Sequence, residues 1–504
     1  MVAAVRRLGL LVAALLCGCG GSDGPSSSGA GPTAGASVHG VLLVVCDTLR
    51  ADRLDPYGGD VGTPHVNRLA ERGVVWEQNR AQGCWTLPSM ISMMTGRWIS
   101  ERSRGVPKDQ PTLADLLSEE GFRTGAFVAN AVASPQRGFA RSVDHFDQLT
   151  YSDPADVVAK RFLDWKAGLD LQDERPWFGW VHFMDPHMPY EPDERFLRPQ
   201  APVSSAQRDA WKRAEYEIEQ FLPGSAAARQ GTNGRQFIRG IRQAYDGEVR
   251  SFDHGLGLIL DALEASGELD TTLVVLAADH GEAMFENPIY PGEKDALLDD
   301  EPRSLALGRW LAYDHKHWYF PQTWNTPLIV SGPGFERGVV GEGMSANIDI
   351  LPTILAAVGA HVPDDLDGTS LVGRTTVERE LVFGHGRDTT AVIDGAGNFW
   401  VEMPRELSGV RDPQRPSGLL FQLSQGPLYL TDRSRQEPEL AASLRQRIDE
   451  WRATTTLRTN LDVDDSADQI LIDLGYVEGP AGDESEDADG ADADGTSKPP
   501  KSDG

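Results

Sequence analysis

Two uninterrupted apolar runs, Val41 to Cys46 and Leu273 to Ala278, each close on an aspartate, and together they set the expected architecture. A valine-rich run with no polar alternation reads as a strand buried on both faces of a parallel sheet. The first run begins at His39 and leaves Asp47 at the carboxyl end of its strand. The second begins at Thr272 and leaves Asp279 and His280 in the equivalent place. A shorter strand pattern, Gly125 to Val128, leads to Asn130. Elsewhere the period changes to that of amphipathic helices, at Thr112 to Gly121, at Glu437 to Thr454, and at Gly255 to Ser266, where Leu256, Ile259, Leu260 and Leu263 share one face. Alternation of the two periods predicts an α/β fold, a doubly wound sheet flanked by helices. In such sheets ligands collect beyond the carboxyl ends of the strands, so both acidic clusters are expected to meet at one site.

Composition adds size, partners and address. A chain of 504 residues with 40% hydrophobic content buries a large core and holds more than one structural unit. Its net charge of −29 argues against nucleic-acid binding through a basic surface, while leaving room for an anionic substrate in a locally positive pocket. Arg6-Arg7 followed by Leu8 to Leu16 has the layout of a secretory signal and is too short for a stable membrane span. Leu16-Cys17-Gly18-Cys19 looks like a bacterial lipobox, with Cys19 as the lipidated first residue of an exported, membrane-anchored lipoprotein at the periplasmic face or cell surface. The expected organisation at the two ends is a signal peptide over 1–19, a flexible tether over 20–38 and an acidic disordered tail over 477–504. The polar stretch from Arg195 to Ile241 is read as a helical excursion near the site mouth, and Asn287 to Gly308 as a candidate lid. Cys46 and Cys84 remain as thiols, and no disulfide framework is implied.

The chemistry centres on Trp85 to Gly96, where Thr86 offers a hydroxyl just ahead of Pro88-Ser89. Capping of a helix that begins near Pro88 is one role for that hydroxyl. A nucleophile activated by a base or a metal is the other, and a helix N-terminus favours the anion it would attack. Asp47, Asp279 and His280 are suitable ligands for one divalent cation.

These segments resemble the sulfatases of the alkaline phosphatase superfamily. The resemblance runs in order through Asp47 to Asp52, Thr63 to Gly73, the Thr86 run, Met184 to Tyr190, Tyr245 to Val249, Asp279 to Glu282, Thr326 to Gly334, Ile348 to Leu355 and Asp367 to Leu371. It implies an alkaline-phosphatase-like fold, with a catalytic domain over 39–375 and a smaller C-terminal antiparallel-sheet subdomain over 376–476, and a metal-dependent hydrolase that cleaves sulfate or phosphate esters by in-line attack of a metal-bound nucleophile. Asp47, Asp279 and His280 are then the metal ligands, Thr86 the nucleophile, and His187 the residue that protonates the departing oxygen. Lys316 is the expected cation on the anion, with Asn130, His315 and His317 as substrate contacts; which of His315, Lys316 and His317 points inward is open. His280 favours Mn²⁺ or Zn²⁺, and Ca²⁺ is the alternative if the site is sulfatase-like. The substrate is a small-molecule or glycan- or lipid-linked anionic ester.

The chain also departs from the family pattern. Sulfatases usually carry Cys or Ser where Thr86 stands and convert it to formylglycine; Met90 replaces the arginine of the same motif, and Thr48 replaces the second Asp of the usual pair. Cys84 is out of register and reads as a buried structural cysteine. A threonine ester of sulfate is inert to water, whereas a threonine ester of phosphate is open to in-line attack. A phosphodiesterase, phosphonate monoester hydrolase or phosphoryl transferase using Thr86 is therefore the competing expectation, and a non-catalytic surface binding protein on the same scaffold is the alternative of another class.

Overall fold

The computed structural model describes residues 37–99, 104–169, 173–198, 234–288, 311–315, 319–386, 389–402, 417–423 and 432–455, with backbone alone for 234–238, 285–288 and 311–314. The expected signal peptide, Cys19, most of the tether and of the candidate lid, and the acidic tail lie outside these residues.

Nine strands form the main sheet. In chain order they are β1 (Gly40–Cys46), β2 (Gly73–Trp76), β3 (Arg123–Val128), β4 (His145–Gln148), β5 (Trp177–Phe183), β6 (Thr272–Ala278), and then β9 (Leu328–Ser331), β10 (Val339–Gly343) and β11 (Thr376–Val377), after a separate pair β7 (Ala283–Pro288) and β8 (Leu311–Asp314). The spatial order is β11-β10-β2-β9-β6-β1-β5-β3-β4. The central strands β6, β1, β5, β3 and β4 are parallel neighbours, while β9 runs antiparallel to both β6 and β2. The sheet is thus mixed, and its all-parallel stretch is where the two valine-rich runs sit side by side.

Side-chain alternation divides each buried strand between two cores. Leu42, Val44 and Cys46 face one core with Val181 and Phe183, under α4 (Ala155–Ala167) and α5 (Gly234–Ala265). Val41, Leu43 and Val45 face the other, with Trp180 and Ala277, under α2 (Thr86–Thr95), α3 (Leu113–Glu119) and α6 (Ile350–Val358). Thr112 caps α3 in a reciprocal capping box with Asp115, which accounts for the clean start of that helix in the sequence pattern. The helix expected from Gly255 instead begins at Gly234, because Ile241, Ala244, Tyr245, Val249 and Phe252 continue the same buried face. Gly255 broke the pattern for a packing reason: a Cβ there would lie 2.8 Å from the Cβ of Ala155 on α4.

The second unit of secondary structure is the antiparallel sheet β12 (Leu381–His385), β13 (Thr390–Asp394), β14 (Asn398–Glu402) and β15 (Gly418–Gln422), covered by α7 (Pro438–Thr454). The large sheet still includes Thr376–Val377, so the break between sheets falls just after them. Arg379 ties the two parts with paired bonds of 2.7 and 2.6 Å to Asp349, a buried carboxylate that also accepts the N–H groups of Ala346 and Thr369.

The turn after β1 is held from below. Thr48 adopts a left-handed φ of 55°, uncommon for a β-branched residue. The Tyr245 hydroxyl of α5 donates to the Thr48 carbonyl at 2.7 Å and accepts the Arg50 N–H at 3.0 Å. Tyr245→Phe leaves both buried backbone groups short of a partner, so it is expected to lower stability by about 1–3 kcal/mol. Denaturant unfolding of the metal-free protein checks this, and a change below about 0.5 kcal/mol would contradict the bracing role.

Candidate active site

Strand register brings the polar groups to one face. Val45 of β1 lies opposite His182 of β5 on one side and Ala277 of β6 on the other. Two residues on, with the same parity, come Asp47 and Asp279, so Asp47, Asp279 and His182 project toward the α2 side of the sheet. Thr86 is the first residue of α2, and Asn130 follows β3. Five segments thus converge beyond the carboxyl ends of parallel strands.

All of these side chains are buried. Thr86 Oγ1 donates to Asp47 Oδ2 at 3.5 Å and lies 3.5 Å from His280 Nε2. His280 Nε2 is 3.4 Å from Asp279 Oδ2 and 3.7 Å from Asp47 Oδ1. His280 Nδ1 donates to the Gly281 carbonyl at 3.0 Å, which leaves the Nε2 lone pair facing the carboxylates. His182 Nε2 stands 4.0 Å from Asp47 Oδ2. Asn130 is held in one orientation: its carbonyl accepts the N–H of Val132 at 2.7 Å, and its amide donates to Asp47 and, at 3.4 Å, to Thr86 Oγ1. Thr86 is not a cap, since Trp85 occupies that position and no side chain caps the helix.

Two carboxylates in this space carry an electrostatic penalty. Among the described residues no Lys or Arg pairs with Asp47 or Asp279; Arg50 turns instead to Asp52 and the Glu282 carbonyl. Burial pushes the Asp279 carboxyl up to about 7, and burial with the charge of Asp279 raises Asp47. Burial also pushes His280 and His182 down to about 3, so both rings are neutral donors of a lone pair. Asp47 Oδ1, Asp279 Oδ2 and both ring nitrogens of His182 are buried with no hydrogen-bond partner among the described residues.

A divalent cation fits this donor set. One donor atom each from Asp47, His182 and Asp279 lies within 4.8 Å of the others. Metal bonds of 2.0–2.1 Å at tetrahedral angles set ligand atoms roughly 3.4 Å apart. The spacings of 3.4, 3.5 and 3.7 Å among Asp47, Thr86, Asp279 and His280 are of that size. His182 was absent from the sequence reading of the ligands. Its signal was a lone histidine inside the apolar run Trp177 to Phe183, and only the register against Val45 gives it meaning.

The remaining expected residues take three positions. His187 sits in the loop after β5, with Nδ1 2.6 Å from the Met188 carbonyl, and its ring centroid is 5.4 Å from that of His315. His315 is buried against His280, ring centroids 4.4 Å apart. Lys316 and His317 lie outside the described residues. Met90 is fully buried in the core under α2 and brings no charge to the site, and Cys84 is buried in the apolar cluster of Ala81, Tyr319 and Trp324.

A family model described as Sulfatase matches residues 39–360. The ulvan-active sulfatase of Formosa agariphila is 21% identical over 410 residues, spanning 73% of this chain and 70% of that protein. A phosphonate monoester hydrolase of Agrobacterium radiobacter superposes with a TM-score of 0.62 at 20% identity, over 84% of this chain and 97% of that one. A protein solved in complex with its substrate D-glucosamine-2-N,6-O-disulfate gives a TM-score of 0.62 at 16% identity, over 82% and 97%. These superpositions show a shared fold.

The raised Asp279 carboxyl has a measurable consequence. Without a cation the folded chain takes up a proton between the usual 3.8 and about 7, so stability of the metal-free protein falls as pH rises through that window. Metal uptake displaces the proton, so the Tm increase on adding Mn²⁺ or Zn²⁺ to EDTA-treated protein is expected to grow from pH 5 to pH 8. Asp279→Asn should abolish that increase while leaving the metal-free protein at least as stable. A metal-induced shift that is flat with pH would contradict this account.

Proposed function

The chain belongs to the sulfatase family, and from that membership we propose a metal-dependent hydrolase of sulfuric or phosphoric esters in which Thr86 is the covalent nucleophile. The observation that carries the reading is the Thr86 hydroxyl, buried between Asp47, His280 and Asn130 at the start of α2.

A divalent cation held by Asp47, Asp279, His280 and His182 would supply Lewis-acid stabilisation of charge on the ester and on the attacking oxygen. Two histidines beside two carboxylates favour Mn²⁺ or Zn²⁺ over Ca²⁺. The protein's own residues do the rest. Thr86 Oγ1 attacks the ester centre as its proton moves toward Asp47 Oδ2, the acceptor to which it is already directed. Asn130, locked by Val132, donates both to Asp47 Oδ2 and, at 3.4 Å, to Thr86 Oγ1, and so holds the hydroxyl in line. The N-terminus of α2 favours the anionic ester that Thr86 meets. His187, whose Nδ1–H donates to the Met188 carbonyl at 2.6 Å, acts as the imidazolium and gives its Nε2 proton to the departing oxygen. Water, passing a proton to His187 Nε2, then attacks the ester centre; the bond to Thr86 Oγ1 breaks, that oxygen takes back the proton held on Asp47, and the anion leaves.

A second reading is favoured by the same hydroxyl. Thr86 is an ordinary threonine with no geminal hydroxyl to expel sulfate, so its ester is released more readily at phosphorus than at sulfur. Phosphonate monoesters or phosphodiesters are then the better substrates, in keeping with the phosphonate monoester hydrolase of shared fold. Anionic esters on glycans are the substrate class suggested by the relatives described as acting on ulvan and on a glucosamine disulfate. The proposal includes an exported lipoprotein anchored at Cys19, supported by Arg6-Arg7 and the apolar stretch to Leu16.

The test is a parallel assay of the metal-loaded protein on 4-nitrophenyl sulfate, 4-nitrophenyl phosphate, bis(4-nitrophenyl) phosphate and 4-nitrophenyl phenylphosphonate. Thr86→Ala is expected to lower kcat on every turned-over ester by roughly a thousand-fold or more. Mass spectrometry of the peptide containing Cys84 and Thr86 should show both residues unmodified at rest. Formylglycine at Cys84, or Thr86→Ala activity within tenfold of the parent, would overturn the nucleophile assignment, and faster turnover of the sulfate than of any phosphorus ester would reject the second reading.

A further inference from the structure

Next to the metal donors lies a buried polar network that the mechanism leaves unused. The last pair between β6 and β9 is Ala277 with Leu328, so the ladder on that side of β6 ends one residue before Ala278. The side chain of Asn347 takes over there, its Nδ2 donating to the Ala278 carbonyl at 2.8 Å. A carbonyl only accepts, so the Asn347 amide must turn its own Oδ1 the other way. That oxygen accepts from Asn79 Nδ2 at 2.7 Å, which also donates to Thr326 Oγ1 at 2.9 Å. Asn79 Oδ1 in turn accepts from the Ser345 hydroxyl at 3.1 Å. Asn79, Thr326, Ser345 and Asn347 are all fully buried, and every atom of both amides has a partner.

Both ends of this relay bear on the site. Ala278 is the residue before Asp279, so the bond from Asn347 holds the strand end that carries a metal donor. Asn79 starts the segment that leads into Thr86, and main-chain bonds fix that segment on two sides. The Arg80 N–H donates to the Ser345 carbonyl at 3.0 Å and the Ala81 N–H to the Trp324 carbonyl at 3.1 Å, while the Asn347 N–H donates to the Arg80 carbonyl at 3.0 Å. Gln82 Oε1 adds a bond from the Ile348 N–H at 2.9 Å. One residue beyond Ala278 the balance reverses, since Asp279 Oδ2 is buried with no hydrogen-bond partner among the described residues. The amide network is satisfied within itself and leaves nothing for a ligand, whereas the donor it borders stays open. We propose that Asn347, oriented by Asn79, is a positioning residue for the metal donor Asp279, which fixes the end of β6 against the segment leading to Thr86 and so raises the affinity of the site for a divalent cation. The proposal rests on the functional reading above, because it takes the cation to bind at Asp279.

The experiment measures the Mn²⁺ dissociation constant and the metal-free Tm of the EDTA-treated full chain, the first at a temperature where every variant is folded. Asn347→Leu removes the donor to Ala278 and is expected to weaken Mn²⁺ binding about tenfold, the lower end of what loss of a supporting contact costs a metal site. It also leaves Asn79 short of a partner and so lowers the Tm. The double variant Asn79→Leu with Asn347→Leu replaces both amides by apolar groups, which costs less than breaking the pair, so its Tm is expected at or above that of Asn347→Leu. Its Mn²⁺ affinity should nevertheless stay about tenfold below the parent, because the Ala278 carbonyl is still unheld. Where Asn347→Leu does not fold, the double variant carries the test. Arg379→Met breaks the bonds to Asp349, two residues from Asn347, and should lower the Tm while keeping Mn²⁺ affinity within about twofold of the parent. Binding within about twofold of the parent in either Asn347 variant overturns the proposal. An equal loss of affinity in Arg379→Met overturns it as well, since the effect would then come from general loosening. Those results leave the metal site itself untouched, whereas a parent that binds neither Mn²⁺ nor Zn²⁺ removes the functional reading and this proposal with it.

Discussion

Two carboxylates, Asp47 and Asp279, are buried at the ends of adjacent parallel strands without a Lys or Arg partner among the described residues, and the design of the site follows from that constraint. Isolated buried charge is expensive, so the pair either takes up protons or binds a cation. The surrounding groups favour the cation. His280 and His182 are held neutral by burial and offer lone pairs, and the backbone N–H groups of His280 and Thr48 point at Asp279 Oδ1, supporting its ionised form. Thr48 reaches that position only in a left-handed conformation, which Tyr245 secures through its carbonyl. The helix α5 thus braces the turn that carries Asp47 and Thr48 although it lies on the far face of the sheet.

Thr86 is placed by a different kind of constraint. Thr86 opens a helix whose ten residues are all buried, and Ser89 closes the approach to that helix by bonding both backbone groups of Gly83. With the helix fixed against the sheet, the hydroxyl has little freedom, and Asn130 supplies an orienting contact whose own amide cannot flip without losing Val132. Such fixed geometry is the usual basis of in-line transfer, where the protein contributes alignment and electrostatic stabilisation more than covalent chemistry. Met90 is buried in the core under α2 and brings no charge to this end of the sheet, where the rings of His280, His315 and His187 pack in a file.

Much of the architecture was legible in local pattern. Both valine-rich strands, the helix capped by Thr112 and the late helix ending at Thr454 fall where the apolar periodicity places them, because each is specified by neighbours a few residues apart. Gly255 misled the pattern for a tertiary reason, since a glycine that admits Ala155 of another helix is indistinguishable in sequence from one that ends a helix. Thr86 carried a similar ambiguity between cap and nucleophile; Trp85 takes the cap position, and the Thr86 hydroxyl faces Asp47 at 3.5 Å instead of closing the helix.

The amino-acid sequence by itself determined the fold class, the family and the meeting of Asp47, Thr86, Asp279 and His280, because strand-end acids and ordered motifs are local features that survive without coordinates. Only the tertiary structure decided that His182 stands with Asp47 and Asp279 in a group that could hold a metal ion, that Asn130 bonds the Thr86 hydroxyl, and that Glu282 faces His315. Each of these depends on strand register or on contacts between distant segments, and a one-residue slip of β5 against β1 would turn His182 to the opposite core.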